Sequence, residues 1–310
     1  MQTLRRISEA ALVLAFAQIV FGAIVRITGS GMGCGDHWPK CNGAWFPPHD
    51  RLDLIIEISH RYIALGLSLL VAALLVGAFR RRREPQTGGS GGVLRPAALA
   101  ATLVITAALL GAVTVKMALN PVIIAAHLTI AMSLLATLAV ALGRAGGIAA
   151  GADMTGATPE TFRGARAAGG LAIVTLIMGA LTANVADAAL SCGGFPWCRT
   201  IAAGGIPLAI QITHRVIAFL LFGHLLGMAI AVGKRKEPRV IVTAARAAFV
   251  AALAQVIIAA GMVEMHFPAP LRALHQAAGT LVWLAIVVLV IVSARAATPD
   301  AARAAMREAA

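Results

Sequence analysis

Residues 57–79 read EISHRYIALGLSLLVAALLVGAF, which places a carboxylate (Glu57), an imidazole (His60) and a guanidinium (Arg61) at the head of a long apolar run. About 20 apolar residues suffice to cross roughly 30 Å of hydrocarbon. Ionisable groups within such a segment are expensive and mark function by default. The stretch therefore raises two questions: how many such segments the chain holds, and which chemistry they serve.

Composition answers the first in outline. Of 310 residues, 59% are hydrophobic and 13% charged, the balance of an integral membrane protein. Eight apolar runs are long enough to span, centred near Ile19, Leu67, Ile105, Leu134, Leu176, Leu220, Val256 and Trp283. The first follows Arg5 and Arg6 as a signal peptide would. Its length and the lack of an A-x-A site make it a retained helix. The net charge of +13 is no sign of nucleic acid, because the basic residues sit in short clusters between apolar runs. Those clusters set orientation. Arg5 and Arg6, Arg80–Arg83 with Arg95, Arg144 with Arg163 and Arg166, Lys234–Lys236 with Arg239, and Arg295, Arg303 and Arg307 alternate with poorer loops. By the positive-inside rule both termini are cytoplasmic. Trp38, Trp45 and Trp197 then fall in outer loops, as an interfacial belt requires.

Every cysteine is also in those outer loops: Cys34 and Cys41 in the first, Cys192 and Cys198 in the fifth. Two close pairs on the oxidising side read as two local disulfides. Metal binding is the weaker reading, since one pair needs His37 to help and still offers too few ligands. Redox exchange through Cys34 and Cys41 is a further alternative.

An internal repeat organises the chain. EISHR at 57–61 recurs as QITHR at 211–215, shifted by 154 positions; Cys34 and Cys41 recur as Cys192 and Cys198, shifted by 158 and 157. AAHLTIA around His127 matches ALHQAAG around His275, and Lys116-Met117 lines up with Glu264-Met265. The expected fold is all-α and membrane-integral: eight transmembrane helices as two tandem four-helix bundles of the same orientation, because four is even. The divisions expected are an N-terminal half over 1–145, a cytoplasmic linker over 146–167, a C-terminal half over 168–294 and a cytoplasmic tail over 295–310.

In each half the second and fourth helices carry one repeated histidine: His60 and His127, then His214 and His275. Each falls five to eight residues past its expected helix start, about 8 to 12 Å below the outer surface. Facing imidazoles at one depth in a helical bundle suit the two axial positions of haem iron. A bare metal ion would want carboxylates or thiols at that level, where only Glu57 qualifies. His37 and His49 are loop residues, His266 sits in an outer turn, and His224 lies off the face of His214, so these stay outside the site. Arg61 and Arg215 follow their histidines directly, either to meet porphyrin carboxylates or to snorkel to the interface. Glu57 stands one turn above His60 on the same face, whereas its counterpart is Gln211. A pocket that removes protons from a substrate needs an acid or base; one that only passes electrons does not.

VRITGSGMGCGDHWPKC (25–41), followed by EISHR and the paired histidines, resembles the haem A synthase family over nearly the whole chain, in the bacterial form with a cysteine pair in each half. The sequence departs from the family's usual C-P-D-W-P at Gly35, Asp36 and His37. The resemblance implies oxidation of the C8 methyl of haem O to a formyl group by two hydroxylations, giving haem A for terminal oxidases. It implies that His60, His127 and Arg61 attend the substrate haem, and that His214, His275 and Arg215 hold a haem b cofactor. Glu57 is then expected to take a proton or stabilise charge at the reacting carbon. Arg26 and Thr28 are expected near substrate propionates, and the Cys34–Cys41 loop over the same pocket. It also implies a bacterial plasma membrane, surrounding lipid, and dealings with haem O synthase and oxidase assembly factors. The rival readings are a dihaem b-type electron-transfer cytochrome without substrate turnover, and a transporter. Transporters place broken helices at midplane, whereas the polar residues here collect at the outer level.

Overall fold

The computed structural model describes residues 1–47 and 51–294; His49, Arg295, Arg303 and Arg307 lie outside them. Nine α-helices are present among the described residues: α1 (Gln2–Ile27), α2 (Leu52–Arg80), the one-turn α3 (Pro85–Gly88), α4 (Leu94–Lys116), α5 (Pro121–Arg144), α6 (Pro159–Asn184), α7 (Gly205–Lys234), α8 (Arg239–Glu264) and α9 (Ala269–Ala294). All but α3 are long and apolar enough to cross a membrane, and each contains one of the eight expected centres. The protein is an all-α, multi-pass membrane protein. A two-stranded ribbon, β1 (Cys192–Gly193) with β2 (Thr200–Ile201), shapes the fifth loop.

Neighbour packing closes two rings. In the first, α1 packs on α2, α2 on α4, α4 on α5 and α5 on α1. In the second, α6 packs on α7, α7 on α8, α8 on α9 and α9 on α6. In each ring the two histidine-bearing helices, α2 with α5 and α7 with α9, stand on opposite corners. A seam of α1 and α5 against α6 and α9 joins the rings. One apolar core runs through both, from Val71, Leu74 and Leu135 to Leu225 and Ile286. Side chains such as Leu65, Leu69, Ile105 and Ile257 point away from it, which suits a protein whose solvent is lipid.

Local chemistry fixes the helix ends. Asn120 accepts hydrogen bonds from the backbone N–H of Val122 and Ile123 at the start of α5, with Pro121 in the first turn. On the opposite side, buried Glu237 accepts from the Thr158 N–H and, at 2.5 Å, from the Thr161 hydroxyl, so the α7–α8 turn caps α6. That cap explains why α6 begins at Pro159, inside the connection expected over 146–167. In the first loop Gly29 takes φ of +70°, and a Cβ on Gly33 would meet the Asp53 carbonyl at 2.8 Å. These two positions of TGSGMG require glycine to fold the loop onto the head of α2.

Candidate functional site

The four repeated histidines come out as two diagonal pairs. His60 and His127 lie eight and six residues past the starts of α2 and α5; His214 and His275 lie nine and six past those of α7 and α9. His214 is therefore slightly deeper than expected. Since the bearing helices face one another across a ring, each pair spans the centre of its bundle.

Glycines on the first helix of each half make room for these rings. A Cβ on Gly22 would stand 3.1 Å from His60 Cε1, and one on Gly179 2.9 Å from His214 Cε1. Gly111 clears His127 similarly, at 3.5 Å. Each half also has a glutamine at one histidine. Gln18 Nε2 lies 3.2 Å from His60 Nε2 and donates to the His60 carbonyl at 3.0 Å; Gln255 Nε2 lies 3.1 Å from His275 Nδ1. The Thr175 carbonyl accepts from His214 Nδ1 at 3.1 Å, which orients the ring with Nε2 outward. His60 Nδ1 and both glutamine Oε1 atoms are buried without a hydrogen-bond partner. Buried polar atoms are normally satisfied, so these orphans mark places built for a ligand.

In the C-terminal half the space between the rings is a cavity of about 530 Å³, within the range of small-molecule sites, with His214, His275, Gln211 and Gly179 in its wall. It is predominantly apolar, with few polar groups converging on it. Two imidazoles on opposite helices, a cleared ring face at His214 and an apolar space between them fit a bis-histidine haem. Among the described residues no three His, Cys, Asp or Glu gather as a metal cluster.

The outer loops are fastened alike in both halves. Cys34 is bonded to Cys41 and Cys192 to Cys198, which removes the metal reading of the thiols. Glu57, 4% exposed, accepts the Cys34 N–H at 2.8 Å; Gln211, 3% exposed, accepts the Cys192 N–H at 2.6 Å. Arg61 pairs with Glu57 at 2.5 Å and donates to the carbonyls of His37, Pro39 and Lys40. Arg215 donates to the carbonyls of Gly194, Pro196 and Cys192. Both arginines thus hold loops over the sites. Glu264, at the end of α8, adds an ion pair to Arg199 and accepts the Phe195 N–H at 2.9 Å.

Arg26 overturns its expected place. It lines the C-terminal cavity and donates to the Ala183 carbonyl at 3.2 Å, whereas the expectation put it with the substrate half. The cause is geometric: α1 forms part of the seam, and its last turn faces α6. Thr28 bonds its own helix end and Ser30. His266, set aside as an outer turn, also lines that cavity, while His224 bonds the Gly164 carbonyl on α6.

Residues 5–287 match the COX15-CtaA family, described as cytochrome oxidase assembly protein. The chain is 27% identical over 282 residues to a haem A synthase of Bacillus mycoides, covering 88% of each chain. It is 31% identical over 222 residues to one of Bacillus licheniformis, covering 68% of this chain and 70% of that one. Over a shorter stretch of 62 residues, 20% of each chain, it is 48% identical to one of Geobacillus kaustophilus. With the match running through both bundles and all four histidines, the chain belongs to the COX15-CtaA family of cytochrome oxidase assembly proteins.

Proposed function

We propose that the chain converts haem O to haem A by oxidising the C8 methyl group to a formyl group, an oxidoreductase reaction at a carbon–hydrogen bond. His60 and His127 hold the substrate haem, and His214 and His275 hold a haem b cofactor. The alignment with haem A synthases along most of the chain supports the reaction. One observation carries the division of labour: two diagonal imidazole pairs stand in matching surroundings, and an ionisable carboxylate, Glu57, accompanies only the first.

When bound, the second haem supplies an electron acceptor beside the substrate half. The chain's own residues do the rest. His60 and His127, on opposite helices of the first bundle, would hold and orient the substrate between α2 and α5. Gly22 and Gly179 keep the rings clear, and the disulfide loops, tied down by Arg61 and Arg215, roof the sites. Glu57 accepts, at a carboxylate oxygen, one of the four protons released as the methyl group becomes a formyl group, with water supplying the oxygen atom and four electrons leaving to the acceptor. The setting is the plasma membrane of a bacterium with both termini cytoplasmic. Haem O reaches the site from haem O synthase, and the product passes to terminal oxidase assembly.

The test is to express the chain with and without a source of haem O and identify the extracted haems by chromatography and mass. Haem A formed only with haem O, beside constant haem b, is the expected result. Haem b alone, unaltered by haem O, would make the chain a dihaem electron-transfer cytochrome.

A further inference from the structure

Two charges at the C-terminal cavity have no role in the scheme above. Arg26 belongs to the N-terminal bundle yet reaches across the seam into the wall of the other bundle's cavity. Arg272, in the same wall, stands on α9 three residues before His275, hence on the same face and one turn nearer the outer surface. Both guanidinium groups line the same cavity as His275. Among the described residues neither forms an ion pair with a carboxylate. Arg215 is differently placed in chemical terms, since loop carbonyls take up its donors. Two half-buried like charges facing an apolar cavity are unfavourable alone and become favourable once a ligand brings two carboxylates. Guanidinium suits that role because its planar fork matches a carboxylate.

We propose that Arg26 and Arg272 grip the two propionates of the haem held by His214 and His275, so that the N-terminal bundle supplies part of the cofactor's binding site. The proposal rests on reading this cavity as the site of that haem. It has a consequence for the other half: Arg26 lies one turn beyond Gly22 and two beyond Gln18, the residues against His60. Cofactor binding therefore steadies the helix that lines the substrate pocket.

The experiment uses the full chain, produced without haem O and purified in detergent. Arg26→Gln, Arg272→Gln, Arg26→Lys and His275→Ala are compared with the parent by haem retained per protein, rate of haem transfer to apomyoglobin, and midpoint potential. Loss of a charge-assisted contact should speed haem loss about tenfold to a hundredfold in each glutamine variant. Their potential should fall, because a positive charge that favours the reduced haem is gone. Arg26→Lys should lie between, which separates a charge effect from misfolding. Parental haem loss and potential in both glutamine variants, with His275→Ala losing haem, would overturn the clamp while leaving the haem site standing. An unchanged haem content and spectrum in His275→Ala would overturn the site itself.

Discussion

At the scale of single residues, Glu57 and Gln211 separate anchoring from chemistry. Both accept the backbone N–H of the first cysteine in their loop, so this contact needs only a side-chain oxygen. What Glu57 has in addition is a charge, paired with Arg61 at 2.5 Å. Glu57→Gln keeps the shape and the Cys34 contact and removes the charge alone; Arg61 retains three loop carbonyls. The expected variant is folded, binds haem in both halves and is less stable by about 1–3 kcal/mol. Its haem A yield should drop at least tenfold, given that general acid–base groups contribute about 10²–10⁴ in rate. Full haem A formation by this variant, measured from extracted haems, would reduce Glu57 to a loop anchor. The four histidines were legible at this scale because the words around them recur. Arg26 was not: nearness in sequence to the TGSGM loop assigned it to the first half, whereas the packing of α1 on the seam places it in the wall of the C-terminal cavity.

At the scale of elements, α1 and α6 are a matched pair whose function is clearance. Gly22 and Gly179 are 157 positions apart, in step with the cysteine shifts of 158 and 157, and each precedes an alanine. That repeated GA pair is a signal in the sequence, though a lone glycine in an apolar helix is as compatible with helix packing. Gln18 and Gln255 carried no such signal, since their repeat partners are Thr175 and Ala107 and the glutamines serve different helices in the two halves. The eight spans and their order, by contrast, follow from hydropathy alone, because lipid leaves the backbone few options other than helix. The clearance can be tested in one half at a time. A Cβ at Gly179 would stand 2.9 Å from the His214 ring, so Gly179→Val should displace that imidazole. Haem content should fall by the C-terminal share while the N-terminal histidines still bind. Gly22→Val should do the reverse, with haem quantified in each variant beside His214→Ala and His60→Ala. Equal haem content in parent and both valine variants would mean that the rings have room to move aside.

At the scale of the whole molecule, two similar bundles must act on one reaction, and the seam decides whether they can. Trp283 on α9 is buried there, lines the C-terminal cavity, and donates its indole N–H to the Met132 carbonyl on α5 at 2.9 Å. Met132 follows His127 by five residues and Trp283 follows His275 by eight, so this one contact ties together the helices bearing the second repeated histidine of each half. Its strength comes from bulk more than from the hydrogen bond. Interhelical hydrogen bonds in membranes average only about 0.6 kcal/mol, whereas emptying the volume of a buried Trp costs about 3–5 kcal/mol. Trp283→Phe should accordingly melt within a few degrees of the parent, and Trp283→Ala should melt much lower, when unfolding is followed in detergent. The haem in the C-terminal cavity should restore part of the loss, since a ligand that binds only the folded state stabilises it by mass action. An alanine variant with parental melting would show that the bundles are held together elsewhere, leaving the Arg26 crossing and the α5–α6 packing to join them.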